Sequence, residues 1–326
     1  MHRFLVIQTA FIGDVILSTA LVEKLKEFYP ESKVDFVVRQ GNENLLENNP
    51  NINRVFILNK KNHKYRNVFR IIRQIRKFRY DYVFNLQRFF TTGFITFFIK
   101  GRIKAGFKKN PLSVFYHWKV EHKIGNGLHE ITRNLKLVQP IADDHFVKPR
   151  LYPSDKDFEK IDSFRQEQYI CIAPTSVWFT KQFPAYKWIE LIEKFGKEIT
   201  VLLIGGTNDS AACEEILKAA GRGKIQNLAG DLTFLQTAAL MEGALMNYVN
   251  DSAPLHIASA MNAPVTAVFC STIPDFGFYP VSEESYVVQT DLHLECRPCG
   301  LHGYRSCPEG HFLCAKSIAM EQFKII

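Results

Sequence analysis

Short apolar runs alternate with amphipathic segments along almost the whole chain, and this alternation limits the folds that are available. The runs have the length of strands, and the segments carry apolar residues at helical spacing. The first half is predicted to form strands at 3–8, 33–38, 53–58, 82–86 and 102–107 and helices at 15–28, 65–79 and 127–138. The second half is predicted to form strands at 169–173, 200–204, 224–228, 244–250 and 265–269 and helices at 186–195, 209–220 and 234–243. Such regular alternation predicts an α/β fold with parallel, doubly wound sheets.

A chain of 326 residues is longer than one typical domain, so two domains are expected. Residues 139–153 hold three prolines, the pair Asp143-Asp144 and little periodicity, and we interpret them as a linker. The expected division is a Rossmann-like domain at residues 1–145 and a second at 146–326, with a ligand cleft between them. In doubly wound sheets, ligands bind at the carboxyl ends of the strands.

The positive charge of the chain is concentrated in one stretch. The formal net charge is +8, but residues 60–109 contain fifteen Lys or Arg against one acid, Asp81, so the rest of the chain is acidic. Helix 65–79 combines much of this charge with an apolar stripe. The pattern predicts an anionic partner for the first half, held at a membrane face, or alternatively a solvated basic surface.

Apolar runs in the chain are far shorter than the roughly 20 residues that span a bilayer, and the N-terminus lacks a signal-peptide pattern. The protein is therefore expected to be cytoplasmic. A disulfide scaffold is not expected from its seven cysteines. Four of them are spaced so that a structural zinc site and a metal-free thiol loop are both possible, namely Cys296, Cys299, Cys307 and Cys314.

Polar motifs follow two of the predicted strands. Gly13-Asp14 comes after the first strand, where the Asp14 carboxylate can take a proton from a hydroxyl or simply cap the following helix. Ser176, Thr180 and Lys181 come after strand 169–173. Lys181 can neutralise a diphosphate there, with the hydroxyls adding hydrogen bonds, or it can be a solvated surface lysine.

A third motif, Asn-Asp-Ser-Ala-Pro-Leu-His at residues 250–256, follows strand 244–250. Asp251 and Ser252 are candidate N-cap residues, and Pro254 suits a first helical turn. The unpaired amides of such a helix start attract anions, although an ordinary capped helix has the same sequence pattern. His256 lies one helical turn further on. It can contact a diphosphate or a ribose, or it can be a structural histidine.

Together these motifs, with the closing Cys296-Arg297-Pro298-Cys299 and Gly310-His311-Phe312-Leu313-Cys314, resemble the heptosyltransferases of glycosyltransferase family nine over nearly the whole chain. The resemblance implies a GT-B fold and inverting transfer of a heptose from an ADP-activated donor. It implies an anionic glycolipid acceptor, the inner core of lipopolysaccharide, and peripheral contact with the inner face of the inner membrane. It also implies that no divalent metal or other cofactor is required.

The same resemblance implies roles for individual residues. Asp14 is expected to be the general base, and Lys181 to stabilise the leaving diphosphate. Donor contacts are expected from the second and third motifs, at Ser176, Thr180, Lys181, Asp251, Ser252, Ala253 and His256. Independently of the resemblance, the basic stretch suggests acceptor contacts at Arg66 and Arg88, and Gly13 beside Asp14 is a further candidate. The family pattern has glycine where this chain has Ala253, so the shape of the donor loop is least transferable there.

Three other interpretations stay open. The same fold can use another nucleotide sugar or another surface-glycan acceptor. A nucleic-acid binder can use the basic stretch 60–109, but the acidic second half argues against it, and no nucleic-acid partner is expected. A dehydrogenase is disfavoured because no glycine fingerprint follows the first strand.

Overall fold

The computed structural model describes residues 1–143, 145–221 and 223–326, so Asp144 of the predicted linker lies outside the described residues. The chain separates into two compact units. Unit 1 comprises Met1–Ile124 and Leu128–Tyr152, and unit 2 comprises Gly125–Gly127 and Pro153–Ile326. The main boundary, between Tyr152 and Pro153, falls inside the segment that the sequence predicts to be a linker.

Unit 1 contains a six-stranded parallel sheet in the order β3-β2-β1-β4-β5-β6. Its strands are β1 (Arg3–Ile7), β2 (Lys33–Arg39), β3 (Arg54–Leu58), β4 (Tyr80–Asn85), β5 (Gly101–Phe107) and β6 (Trp118–Val120). Its helices are α1 (Ile12–Phe28), α2 (Lys64–Ile75), α3 (Phe90–Phe98) and α4 (Glu130–Leu135). Phe4 of β1 lies opposite both Val34 of β2 and Tyr82 of β4. The strand order reverses between β1 and β4, which makes their carboxyl ends the switch point where such sheets bind ligands.

Unit 2 contains a second six-stranded parallel sheet with the same topology, in the order β12-β11-β10-β7-β8-β9. Its first strand, β7, lies at the centre, as β1 does in unit 1. Its strands are β7 (Tyr169–Ala173), β8 (Thr200–Leu203), β9 (Ile225–Asn227), β10 (Asn247–Asn250), β11 (Val265–Phe269) and β12 (Ser285–Gln289). Its helices are α5 (Asp155–Ile161), α6 (Ala185–Glu193), α7 (Ser210–Ala220), α8 (Phe234–Glu242), α9 (Ala253–Ala260) and α10 (Leu313–Lys316). The switch point of this sheet lies between β7 and β10.

The central strands of each sheet are largely buried. Every residue of β7, β10 and β11 is buried, as expected for parallel strands covered on both faces. In unit 1 the apolar stripe of α2 packs in one cluster with β1, through Val68, Ile71, Ile72 and Ile75. The loops that leave the carboxyl ends of these strands therefore start from fixed positions.

The α/β class and the two doubly wound sheets are confirmed, and all ten predicted strands are present. The structure adds two edge strands, β6 and β12, and three helices that the sequence reading missed, α3, α5 and α10. Helix α2 ends at Ile75 rather than at residue 79, with Arg76 as its C-cap. Within the described ranges, no helix combines the length and the hydropathy needed to cross a bilayer.

Candidate active site

Asp14 is held in the first turn of α1, directly after the central strand of unit 1. The side chain is half-buried. Burial raises the pKa of Asp14 from its ordinary value of 3.8 to about 7, and the nearby Glu130 carboxylate raises it further. This pKa is lowered by hydrogen bonds from the backbone amides of Phe11 and Asp14 and by the charge of Arg88. The amides at the start of α1 do favour the ionised carboxylate, as capping predicts, but burial outweighs them.

Glu130 is a residue of this site that the sequence reading missed. Its carboxylate accepts a hydrogen bond of 2.7 Å from Arg133 Nε, and both of its oxygens lie 3.0 Å from His122 Nε2. Burial opposes the ionisation of Glu130, but the hydrogen bonds and charges of His122 and Arg133 keep its pKa below the usual range. A fixed negative charge therefore lies close enough to Asp14 to raise the proton affinity of that carboxylate.

The three predicted acceptor residues occupy different places in unit 1. Gly13 lies beside Asp14 in the first turn of α1, and Arg88 follows β4 on the other side of the switch point. Arg66 is exposed in the first turn of α2, which follows the edge strand β3. Arg88 is a predicted acceptor cation whose charge lowers the pKa of Asp14.

Lys181 and Asp251 form a pair across the switch point of unit 2. Lys181 ends a single helical turn after β7, and Asp251 directly follows β10. The distance from Lys181 Nζ to Asp251 Oδ2 is 2.8 Å, and the side chains are only 15% and 8% exposed. Asp251 Oδ2 also accepts a hydrogen bond of 2.6 Å from Thr272 Oγ1. Lys181 is therefore a positioned charge rather than a freely solvated lysine, and Asp251 is engaged with it rather than serving as a helix cap.

Helix α9 begins at this pair. Ser252 is its N-cap residue, with extended backbone, but the Ser252 side chain makes no capping hydrogen bond. Ala253 is the first helical residue and is not among the residues with positive φ, so its methyl group requires no backbone strain. Pro254 occupies the first turn as predicted. The substitution of alanine for the glycine of the family pattern is compatible with this backbone.

The hydroxyl of Thr180, a predicted donor contact, bonds within the protein. It is fully buried, and its hydroxyl accepts hydrogen bonds from Tyr304 N at 2.7 Å and from Ser271 Oγ at 3.0 Å. Thr180 thereby ties the loop after β7 to two later parts of the chain. Ser176 is half-buried and uses its carbonyl oxygen to accept from Gln182 Nε2 at 2.6 Å.

His256 is buried within α9, with its ring centroid 6.3 Å from that of Phe278. Its predicted role at the donor stays a prediction.

The four carboxyl-terminal cysteines gather around one cavity of about 210 Å³, which His311 and Glu309 also line. All four are free thiols, and Cys296 Sγ lies 3.9 Å from His311 Nε2. Burial raises the pKa of Cys314 to about 12, so this thiol is protonated at neutral pH. In the part of the chain that the structure describes, no three His, Cys, Asp or Glu side chains are arranged to hold a metal ion.

Two doubly wound domains in one chain, each with charged side chains at its switch point, are the architecture of GT-B glycosyltransferases. The model of glycosyltransferase family 9 (heptosyltransferase) matches residues 68–305. The chain belongs to this family.

Individual relatives agree with the assignment. Lipopolysaccharide heptosyltransferase 3 of Escherichia coli is 30% identical over 280 residues, which cover 80% of this chain and 82% of the relative. The solved ADP-heptose lps heptosyltransferase II of E. coli is similar with a TM-score of 0.78 and 22% identity, covering 93% of this chain and 92% of that one. A family 9 glycosyltransferase from Veillonella parvula is similar with a TM-score of 0.80 and 20% identity, covering 88% of this chain and 85% of that one. At these identities the two structures show the fold.

Proposed function

We propose that this glycosyltransferase moves a heptose from an ADP-activated donor to the inner core of lipopolysaccharide, with inversion at the anomeric carbon. The relative with 30% identity is a lipopolysaccharide heptosyltransferase, and the structural neighbour from E. coli is described as acting with ADP-heptose. In this proposal unit 1 is the acceptor domain and unit 2 the nucleotide-sugar domain, close to the division 1–145 and 146–326 that the sequence suggests.

The observation that carries the proposal is the Asp14 carboxylate, whose pKa of about 7 suits a base at neutral pH. Asp14 takes the proton of the acceptor hydroxyl. The hydroxyl oxygen forms a bond to the anomeric carbon of the heptose. On the opposite side of that carbon, the bond to the phosphate oxygen breaks, and its electron pair leaves with ADP.

The leaving ADP gains negative charge, and unit 2 offers groups that stabilise it. Lys181 supplies a positive charge held at 2.8 Å from Asp251, and α9 starts beside it without a side-chain cap at Ser252. A helix start and an ammonium group stabilise a diphosphate without a divalent ion, so we propose a metal-independent reaction. Asp251 and Thr180 then act mainly by fixing Lys181 and its loop.

The acceptor is anionic, and its binding is assigned to the basic side of unit 1. Arg88 acts electrostatically on Asp14, and Arg66 belongs to the exposed basic surface of α2. We propose that these cations contact acidic sugars or phosphates of the core, which places the enzyme at the cytoplasmic face of the inner membrane.

A transfer assay tests the proposal. The purified protein is incubated with ADP-heptose, or with UDP- and GDP-activated sugars, and with acceptors truncated at successive positions of the core. We expect transfer from ADP-heptose to one truncated acceptor, with a product anomer opposite to that of the donor by NMR. Faster transfer from another nucleotide sugar would overturn the assigned donor, and retention of the anomer would overturn the role of Asp14.

A further inference from the structure

Helix α3 exposes three of its four phenylalanines, whereas its buried side carries two threonines beside Ile95. Phe90 is 57% exposed and Phe97 is 40% exposed, whereas Thr92 and Thr96 are buried. Both threonine hydroxyls donate to backbone carbonyls, from Thr92 to Phe89 O and from Thr96 to Thr92 O. A surface helix normally has the opposite arrangement, with its apolar side toward the core. The exposed phenylalanines are therefore not explained by the packing of unit 1.

These rings form one continuous surface with neighbouring elements. Within α3, Phe94 contacts Phe90 and Phe98, and Phe97 contacts Phe98. The contacts extend to Phe69 of α2 and to Phe115, with centroid distances of 6.0 Å and 4.6 Å. We call this surface the aromatic face. It consists of the exposed Phe69, Phe90, Phe97, Phe98 and Phe115, which the half-buried Phe94 joins to the core of unit 1. Contiguous exposed apolar surface of this kind marks an interaction site.

The aromatic face has a basic border. Lys104 Nζ donates to Phe97 O at 2.7 Å and lies 5.8 Å from the centre of the Phe97 ring. Exposed cations come from α2 and from the region around β5, and these are Arg66, Arg70, Arg73, Lys100 and Arg102. The one acid between residues 60 and 109, Asp81, accepts a hydrogen bond from Arg3 N at 2.8 Å. The border is therefore strongly positive.

We propose that the aromatic face docks on an anionic lipid bilayer, with its phenylalanines at the boundary between headgroups and acyl chains and its cations on the lipid phosphates. Aromatic and aliphatic side chains next to clustered Lys and Arg are the combination that binds such a surface. A second copy of the chain fits less well, because a twofold interface would set the basic border against itself. The inference deepens the proposed function, since a lipid-linked acceptor lies in such a bilayer, but the surface itself is described independently of the reaction.

Co-sedimentation with lipid vesicles tests the proposal. The vesicles contain phosphatidylcholine alone or with about one-third phosphatidylglycerol. The variants are Phe90→Ser/Phe97→Ser and the control Phe146→Ser, which removes a 42% exposed phenylalanine elsewhere on unit 1. We expect the wild type to prefer anionic vesicles, the double variant to bind at least about tenfold more weakly, and the control to bind like the wild type. Equal vesicle binding by all three proteins would overturn the proposal, as would a wild-type dimer in ultracentrifugation that the double variant loses.

Transfer assays separate this inference from the proposed function. With a delipidated, water-soluble core acceptor, the double variant should keep the wild-type rate, whereas with the acceptor embedded in vesicles its rate should fall. If the protein transfers heptose but no variant changes vesicle binding, the docking surface is wrong and the function stands. If vesicle binding depends on the phenylalanines but no heptose is transferred, the function is wrong and the docking surface stands.

Discussion

Lys181 Nζ lies 2.8 Å from Asp251 Oδ2, and this pair joins two loops that are 70 residues apart in the chain and adjacent at one switch point. The carboxylate holds the ammonium in one orientation and pairs its charge in a mostly buried place. An anion that binds here meets a charge already fixed in place, so less side-chain entropy is lost on binding.

Lys181→Ala should therefore weaken ADP binding by about tenfold to a hundredfold, since a charge-assisted contact is lost. Isothermal calorimetry with ADP measures the effect. The matched control is Lys187→Ala, which removes another lysine of unit 2 whose side chain is equally 15% exposed but bonds to Ile318 O. Because Lys181→Ala leaves Asp251 without its cation, the double variant Lys181→Ala/Asp251→Asn should recover stability but not ADP affinity. Wild-type affinity in Lys181→Ala would remove this residue from the donor site.

Asp14→Asn should lower kcat by about 10² to 10⁴, because the amide cannot take the acceptor proton. ADP affinity should stay unchanged, since Asp14 belongs to unit 1 and the donor groups to unit 2. Burial also predicts a stability effect. The raised pKa means that ionising Asp14 costs folding free energy, a cost that grows as pH rises from its ordinary pKa of 3.8 to about 7 and then stays constant. Asp14→Asn should thus gain more in Tm at pH 8 than at pH 5, and a wild-type kcat would contradict the base assignment.

Two variants should shift the pH profile in opposite directions. In the wild type, kcat/KM should rise with pH around 7 as Asp14 ionises. Glu130→Gln removes a negative neighbour, so the rise should move to lower pH. Arg88→Gln removes a positive neighbour, so the rise should move to higher pH. Shifts of the same sign in both variants would show that another group controls the profile.

Thr180→Val preserves the shape of a buried side chain but removes the hydroxyl that accepts from Tyr304 N and Ser271 Oγ. The unpaired amide should cost about 1–3 kcal/mol of unfolding free energy, seen as a lower Tm. Ser176→Ala is the control in the same loop, because Ser176 bonds through its carbonyl and should lose little. If Thr180→Val instead weakens ADP binding strongly at unchanged Tm, Thr180 is a donor contact as the sequence suggests.

The sequence predicts the parts of this molecule that depend on local pattern. Alternating strand and helix periods predict both sheets, and the positions of Asp14, Lys181 and Asp251 just past strand ends follow from those periods. The Lys181–Asp251 pair and the burial of Thr180 against Tyr304 depend on contacts over 70 and 124 positions, which no local period encodes. Glu130 escaped notice for the same reason, since it reaches the Asp14 region through tertiary packing.

Helix α3 was missed for a different reason. A short run dominated by phenylalanine and threonine carries no clear helical period, and its outward aromatic side contradicts the usual assumption that apolar residues face the core. The rule that apolar residues face the core fails at α3, where we propose that the exposed phenylalanines contact a lipid bilayer.

The bond from Tyr304 N to Thr180 also has a consequence for synthesis. Tyr304 leaves the ribosome 124 residues after Thr180, while every residue of unit 1 has been made by position 152. Domains fold as units in the order in which they emerge, so unit 1, which carries Asp14, is complete while the loop of Lys181 still lacks its anchor. Translation that stops before Tyr304 would leave a folded unit 1 and a Lys181 loop without its support.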